Sequence, residues 1–413
     1  MTGALADLRP LREVPAYRRL WLGSTASAFG SQLTRFAVMF YIWERSHDAA
    51  MVGLVGLATA VPLVVFAVLG GAVADRVDRR TLVLWTTWLQ VAASSALAML
   101  AAAGAGVWPV LCLVSVSAAL AAVNLPARRT FVATLLPPRQ LAAGLALNVM
   151  SFQAAMLLGP VVAGFLTAAW GAAACFAVDA GTFLVALIGL AGLPRSAGDT
   201  TGDPRRGLRA VAEGLRLTVR VPALGGAFLS DLFATVLAMP VALFPVINAE
   251  KFDGSAPTLG LMMSALAVGG VGASVMSGLV TRRRRAGRVL LVSGAVWGAA
   301  LAAVAVPDGL VPVLVLIGVA GAADTSAVIA RGTVVQAVTP EDYRGRVTAL
   351  EHVVGAGGPH LGSFRAGLLA AATSGSTAIL LGGLGCLAAI GLLAARCRPL
   401  RDYTVPDPEV ARR

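Results

Sequence analysis

The chain alternates long apolar runs with short polar interruptions. The runs lie near 20–43, 51–73, 82–104, 107–126, 142–168, 171–193, 223–247, 257–280, 288–306, 309–330, 346–373 and 376–395. A helix needs about 20 largely apolar residues to cross a hydrocarbon core about 30 Å thick. The pattern therefore predicts twelve membrane-crossing helices. Several runs are rich in Gly and Ala, which lets helix backbones approach closely in a bilayer. The short alternating segments of a membrane β-barrel are absent from the pattern. The first run is longer than the apolar core of a signal peptide and is followed by charges, so no cleavable leader is expected.

Composition sharpens this reading. Of 413 residues, 57% are hydrophobic and 13% charged, and the mean hydropathy is +0.80. Soluble domains carry about 25% charged residues. An ordinary soluble enzyme, a disordered chain and a disulfide-rich secreted module are all excluded. The formal net charge of +12 invites a nucleic-acid partner, but only if the charge gathers on one polar face. It does not. With the N-terminus inside, every basic residue except Arg35, Arg45, Lys251 and Arg365 falls in one of seven inside segments. This is the positive-inside rule. Both termini are expected in the cytoplasm, and no nucleic-acid partner is expected. Lys251 is the single lysine among 33 basic residues, which with abundant Ala and Gly suggests a GC-rich bacterial genome and hence a bacterial cytoplasmic membrane.

Cysteine and motif usage narrows the chemistry. Cys112, Cys175 and Cys386 sit in apolar runs and are expected to be buried, while Cys397 lies between arginines near the surface. No pair has metal-ligand spacing, so neither a metal nor a cofactor is expected. No phosphate-cradling loop appears, which argues against ATP as the energy source. No nucleophile–base constellation points to an enzyme. The partners expected are lipid, a small-molecule substrate and protons, with the chain a monomer.

The longest polar stretch divides the chain. The expected organisation is an N-terminal six-helix bundle at 1–194, a cytoplasmic linker at 195–222, a C-terminal six-helix bundle at 223–396 and a cytoplasmic tail at 397–413. Within the linker, Arg205–Arg220 reads as an amphipathic helix with Leu208, Val211, Leu215 and Val219 on one face, suited to a membrane interface. The halves also repeat. A shift of 203 places Ala127-Arg128-x-Thr130-x-Val132 on Ala330-Arg331-x-Thr333-x-Val335, Pro137 on Pro340, Gly159 on Gly362 and Gly164 on Gly367. Two parallel repeats related by an axis along the membrane normal are a transporter architecture.

Two motifs carry candidate mechanism. After the second run the chain reads Gly71-Ala-Val-Ala-Asp75-Arg76-Val-Asp78-Arg79-Arg80. The fifth run contains Gly159-Pro160-Val-Val-Ala163-Gly164. The first resembles the signature loop of the major facilitator superfamily, G-x-x-x-D-R-x-G-R-R, with Asp78 in place of the second glycine. That Asp form resembles the macrolide-efflux and enterobactin-exporter branch. The second resembles the G-P-x-x-G-G element of the exporting, proton-antiport branches, with Ala163 in place of one glycine. Pro15-Ala-Tyr-Arg18-Arg-Leu-Trp21 and Pro340-Glu341-Asp342-Tyr343-Arg344-Gly345-Arg346-Val347 extend the likeness to essentially the whole chain. The resemblance implies an all-α, twelve-helix membrane protein built as two six-helix bundles. It also implies that helices one, four, seven and ten line a central cavity.

The physical logic of the loop is independent of its name. A carboxylate at Asp75 can pair with Arg76, Arg79 and Arg80 or face a positive helix N-terminus, holding an inner gate in one state. The second-half counterpart, Gly278-Leu-Val-Thr281-Arg282, has no acid, so the latch would be one-sided. In the fifth run Pro160 withholds a backbone donor and permits a bend. Gly357-Gly358-Pro359-His360 in the eleventh run is similar.

Ionisable residues inside helices are functional candidates because burying charge in a membrane is costly. They are Asp231, Asp324, Asp179, Arg35 and Glu351, with Arg365 as another charge in the eleventh run. A buried carboxyl can exchange protons, and Arg35 could pair with such an acid when no substrate is bound. A static ion pair that fixes packing is the alternative role. The expected function is efflux of an amphipathic or apolar small molecule by proton antiport, the halves rocking about a midplane site. An uptake symporter for a nutrient, or a non-transporting scaffold on the same fold, are the alternatives.

Overall fold

The computed structural model describes residues 7–74, 78–191, 204–278 and 285–404. In chain order the long helices are α1 (Pro15–Ser46), α2 (Ala49–Ala74), α3 (Arg79–Ala102), α4 (Val107–Leu135), α5 (Pro138–Trp170) and α6 (Ala172–Ala191). They are followed by α7 (Pro204–Arg220), α8 (Pro222–Leu232), α9 (Phe244–Lys251), α10 (Ala256–Val275), α11 (Ala286–Ala303), α12 (Leu310–Val338), α13 (Arg344–Ala372) and α14 (Gly375–Arg396). Ten helical spans among the described residues are long and apolar enough to cross a membrane. The protein is a multi-pass, all-helical membrane protein. Its outward surface agrees. Trp85, Ile188 and Val275 are 65%, 74% and 82% exposed, an apolar display that water would penalise and hydrocarbon does not.

By internal contacts the chain forms two units. One takes the residues up to His47 and then Ala58–Pro204; the other takes Asp48–Leu57 and Arg205 onward. Asp48 and the first nine residues of α2 belong to the second unit because Gly53 and Gly56 lie directly on the α13 backbone at Gly367 and His360.

In the first unit, α1 packs extensively on α6, and α3 packs on α4 and α6. One end is closed by a buried cluster of Tyr17, Leu20, Val83, Phe131, Leu136 and Leu190. The Tyr17 hydroxyl donates to the Gly144 carbonyl at 2.7 Å, so the apolar cluster leaves no orphaned phenol. Asp78 begins α3. Its carboxylate accepts from the Arg80 amide at 3.4 Å and the Thr81 hydroxyl at 2.9 Å, the work of an N-cap. That gives a local reason for an acid where the family signature has glycine. Cys112, expected buried, is exposed. It lies between exposed Trp108 and Val116 on one outward stripe of α4, because residues four apart share a helix face.

The duplication is visible in the geometry of each unit. The bounds of α4 and α12 are offset by 203 residues at both ends. Within the first unit Gly159 of α5 lies against Gln32 of α1; within the second, Gly362 of α13 lies against Thr235. Both members of each contact differ by the same 203. Any side chain at either glycine would collide with its neighbour, so the small residues set the distance of closest approach. Pro160 and Pro359 sit inside α5 and α13, which remain continuous helices.

The seventh apolar run departs from a simple helix. After α8 the chain widens into a π-helical turn at Phe233–Leu237, opens at Met239–Pro240, and resumes through a 3₁₀ turn at Val241–Leu243. Pro240 has no amide hydrogen and disfavours helical geometry at the preceding residue. The break frees carbonyls that must find other donors in a membrane.

Candidate functional site

The break is where the second unit gathers its buried charge. The Trp297 indole of α11 donates to the Ala234 carbonyl at 3.3 Å. The Arg365 guanidinium of α13 donates to the Leu237 carbonyl. Arg365 therefore caps opened backbone, a role that its position alone did not reveal. Arg365→Leu is expected to cost about 1–3 kcal/mol by leaving that carbonyl unsatisfied. Thermal melts of the purified protein measure this, with Arg365→Lys restoring part of the loss.

One helical turn before the break stands Asp231. It forms an ion pair with Arg331 of α12, the two side chains being 15% and 11% exposed. Glu351 of α13 lies 3.8 Å from Nε of the same guanidinium. Asp324, two turns before Arg331 on α12, is close enough to interact electrostatically with both Asp231 and Arg331. Three carboxyls from three helices thus surround one guanidinium. The Thr235 hydroxyl returns to the Asp231 carbonyl at 2.8 Å, tying the acid's own turn to the π segment. π-turns of this kind recur at functional sites.

The first unit arranges its charges differently. Asp179 of α6 is 2% exposed. Its Oδ2 accepts from Thr34 of α1 at 2.7 Å and from Ser94 of α3 at 2.8 Å. This knot joins three helices through hydroxyls, and Arg35 takes no part in it. Arg128 of α4 reaches Ser24 and Ser27 of α1 at 3.3 and 3.4 Å. Arg35 is exposed and has no ion-pair partner among the described residues, so the expected resting pair with an acid is not formed here.

Of the loop motif, Asp75 and Arg76 lie outside the described residues, as does the second-half stretch at 281–284. Gly71 is in the last turn of α2. Arg79 opens α3. Arg80 donates to the Ala191 carbonyl at 2.6 Å, where a cation meets the negative end of α6. In the fifth-helix motif, Gly159, Pro160 and Gly164 are all buried.

Sequence reasoning missed two further anchors. Glu213 of α7 pairs with Arg209 at 3.1 Å and with Arg346 of α13 at 2.9 Å. It thereby docks the linker helix on the start of α13. Glu250 of α9 accepts from the Gly375 and Ser376 amides at 2.6 and 3.0 Å, a carboxylate on the positive end of α14. Outside the helical spans, Arg401 and Arg288 hold the Asp402 carboxyl below the usual carboxylate range. Among the described residues no cluster of His, Cys, Asp and Glu could hold a metal ion.

The comparisons with known proteins agree with this architecture. The multidrug efflux pump Tap of Mycolicibacterium fortuitum is 29% identical over 374 residues, which cover 85% of this chain and 88% of that one. The enterobactin exporter EntS of Salmonella typhimurium is 25% identical over 399 residues, 94% of each chain. This bears out the exporter side of the resemblance drawn from the loop motif. Among solved structures, a peptide transporter POT in complex with alafosfalin superposes with a TM-score of 0.76 at 13% identity, covering 95% of this chain and 96% of that one. The profile of the family described as transmembrane secretion effector matches residues 5–407, and the chain belongs to that family of major facilitator superfamily transporters.

Proposed function

We propose that this protein is a secondary efflux transporter that exports an amphipathic or apolar small molecule in exchange for protons. Twelve helices would cross the membrane with both termini in the cytoplasm, in two six-helix bundles joined by the linker helix α7. The efflux direction is supported by its exporting relatives and by the buried Gly-Pro element of α5. The observation that carries proton coupling is the Asp231–Arg331–Glu351 cluster with Asp324 nearby.

The chemistry follows from charge balance. One guanidinium cannot neutralise three ionised carboxyls, and uncompensated charge in a membrane is costly. A proton is the smallest charge that restores the balance. When it arrives on Asp231, the ion pair loses its attraction and Arg331 is free to turn towards Glu351. When it leaves, the pair closes again. Asp231 sits one turn from a broken helix, so the exchange would bias the hinge at Phe233–Pro240. Asp75 would supply the separate latch at the inner gate.

The direction is tested in a pump-deficient bacterial strain carrying the gene on a plasmid. Expression is expected to lower cellular retention of at least one compound in a panel of macrolides, dyes and catecholate siderophores, and to raise the inhibitory concentration of the toxic ones. Increased retention on expression would instead establish uptake, and an unchanged panel would favour the scaffold reading.

A further inference from the structure

The two copies of the repeated arginine have opposite electrostatic settings. Arg331 is met by Asp231 and Glu351 and is close to Asp324. Subtracting 203 from each acid gives Ala28, Asn148 and Ala121 in the first half. All three are uncharged. Among the described residues Arg128, the copy of Arg331, has hydroxyl partners, Ser24 and Ser27, and no ion pair. Two helical turns beyond Ser27 on the same helix stands Arg35, exposed and without an ion-pair partner among the described residues.

These residues form one stripe. Ser24, Ser31 and Arg35 recur at helical spacing on a single face of α1. That face lies between the side reached by Arg128 of α4 and the side on which Gly159 of α5 rests against Gln32. Exposed Leu22 marks another side, about 140° around the helix from Arg35 at 3.6 residues per turn. Asp179 does not compensate the stripe, because it is turned into its buried knot with Thr34 and Ser94. A guanidinium with no counter-charge, in a helix of a membrane protein, is expensive unless one arrives.

We propose that Arg35 and Arg128, with the hydroxyls between them, are a recognition stripe for an anionic group carried by the transported molecule: a carboxylate, sulfonate or phosphate. The proposal rests on the efflux reading and narrows its substrate class to amphipathic anions. The first unit supplies fixed positive charge for cargo, and the second keeps its own arginine neutralised for proton exchange. The cargo's anion is bound by charge-assisted hydrogen bonds from a planar fork of donors, which suits such groups.

The test uses the full-length protein in nanodiscs and two probes of nearly equal shape. One is 8-anilinonaphthalene-1-sulfonate; the other is N-phenyl-1-naphthylamine, which lacks the sulfonate. Binding is measured by fluorescence after subtraction of empty nanodiscs. Wild type is expected to hold the sulfonate at least roughly tenfold more tightly than the neutral probe, the scale of one good charge-assisted contact. Arg35→Gln is expected to erase that preference while leaving the neutral probe unchanged, and Arg35→Lys to restore part of it. A thermal melt supplies a readout free of ligand. Arg35→Met is expected to leave the melting temperature unchanged or raised, since it orphans no acid, whereas Arg331→Met lowers it. Equal binding of the two probes, no binding of the sulfonate, or a wild-type preference retained by Arg35→Gln would each overturn the assignment. Retention of either probe by expressing cells then reports on efflux separately, whichever way the binding result falls.

Discussion

Arg331→Gln is expected to destabilise the purified protein by about 3–5 kcal/mol, the cost of leaving one member of a buried ion pair uncompensated. The reason lies in what remains after the change. Asp231 keeps its place one turn before the broken helix, 15% exposed, with the cation it pairs with gone. Glu351 loses the same cation. Asp231→Asn is expected to act in the same direction but less strongly, because Glu351 still faces Arg331. The double variant Asp231→Asn/Arg331→Gln should recover part of the loss, since it removes the charge on Asp231 that Arg331→Gln leaves unpaired, while Glu351 stays without its cation. Coupling of this kind between contacting charged residues amounts to about 0.5–3 kcal/mol. Equilibrium unfolding of the four proteins in one detergent gives the cycle directly. Strict additivity would mean that Asp231 and Arg331 act independently.

The second large effect is on transport. Asp231→Asn should bring pH-driven export down to the level of protein-free liposomes while the exchange of substrate for substrate persists. Asparagine preserves the shape and the hydrogen-bonding capacity of the site but cannot carry a proton. Exchange needs only that the loaded protein reorient. Net export against a gradient needs the proton as well. Loss of both activities together would instead assign Asp231 to packing, and retention of both would move the proton to Asp324 or Glu351. The same assay on Asp179→Asn is expected to leave coupling intact, because that acid is locked to Thr34 and Ser94 in the first unit.

Much of the architecture was legible because membranes impose a simple rule. A helix must be long and apolar, so runs such as 309–330 announced α12 without any structural help. The repeat was legible too, since Arg128 and Arg331 stand out from a background of Ala and Gly. What stayed hidden depended on pairing across space. Position alone marked Arg365 as an intramembrane charge, but only the broken seventh helix shows that it serves the Leu237 carbonyl. Asp231, Asp324 and Glu351 stand out singly along the chain; that three acids share Arg331 is a fact of tertiary packing. Cys112 is exposed against the expectation from its apolar run because hydropathy does not distinguish a face turned outward from one turned to protein. Pro240 was present in the sequence throughout, yet the π-turn before it is settled by the donors of α11 and α13.

Proton exchange through the Asp231–Arg331 cluster is tested most directly by measuring protons and cargo together. Proteoliposomes enclosing the pH dye pyranine, prepared with wild-type protein or with Asp231→Asn, receive an inwardly placed load of a compound identified in the efflux panel. Outward movement of cargo is expected to acidify the lumen in wild type, with no lumenal acidification for Asp231→Asn even where exchange persists. Cargo leaving wild-type liposomes with no accompanying proton entry would contradict that expectation.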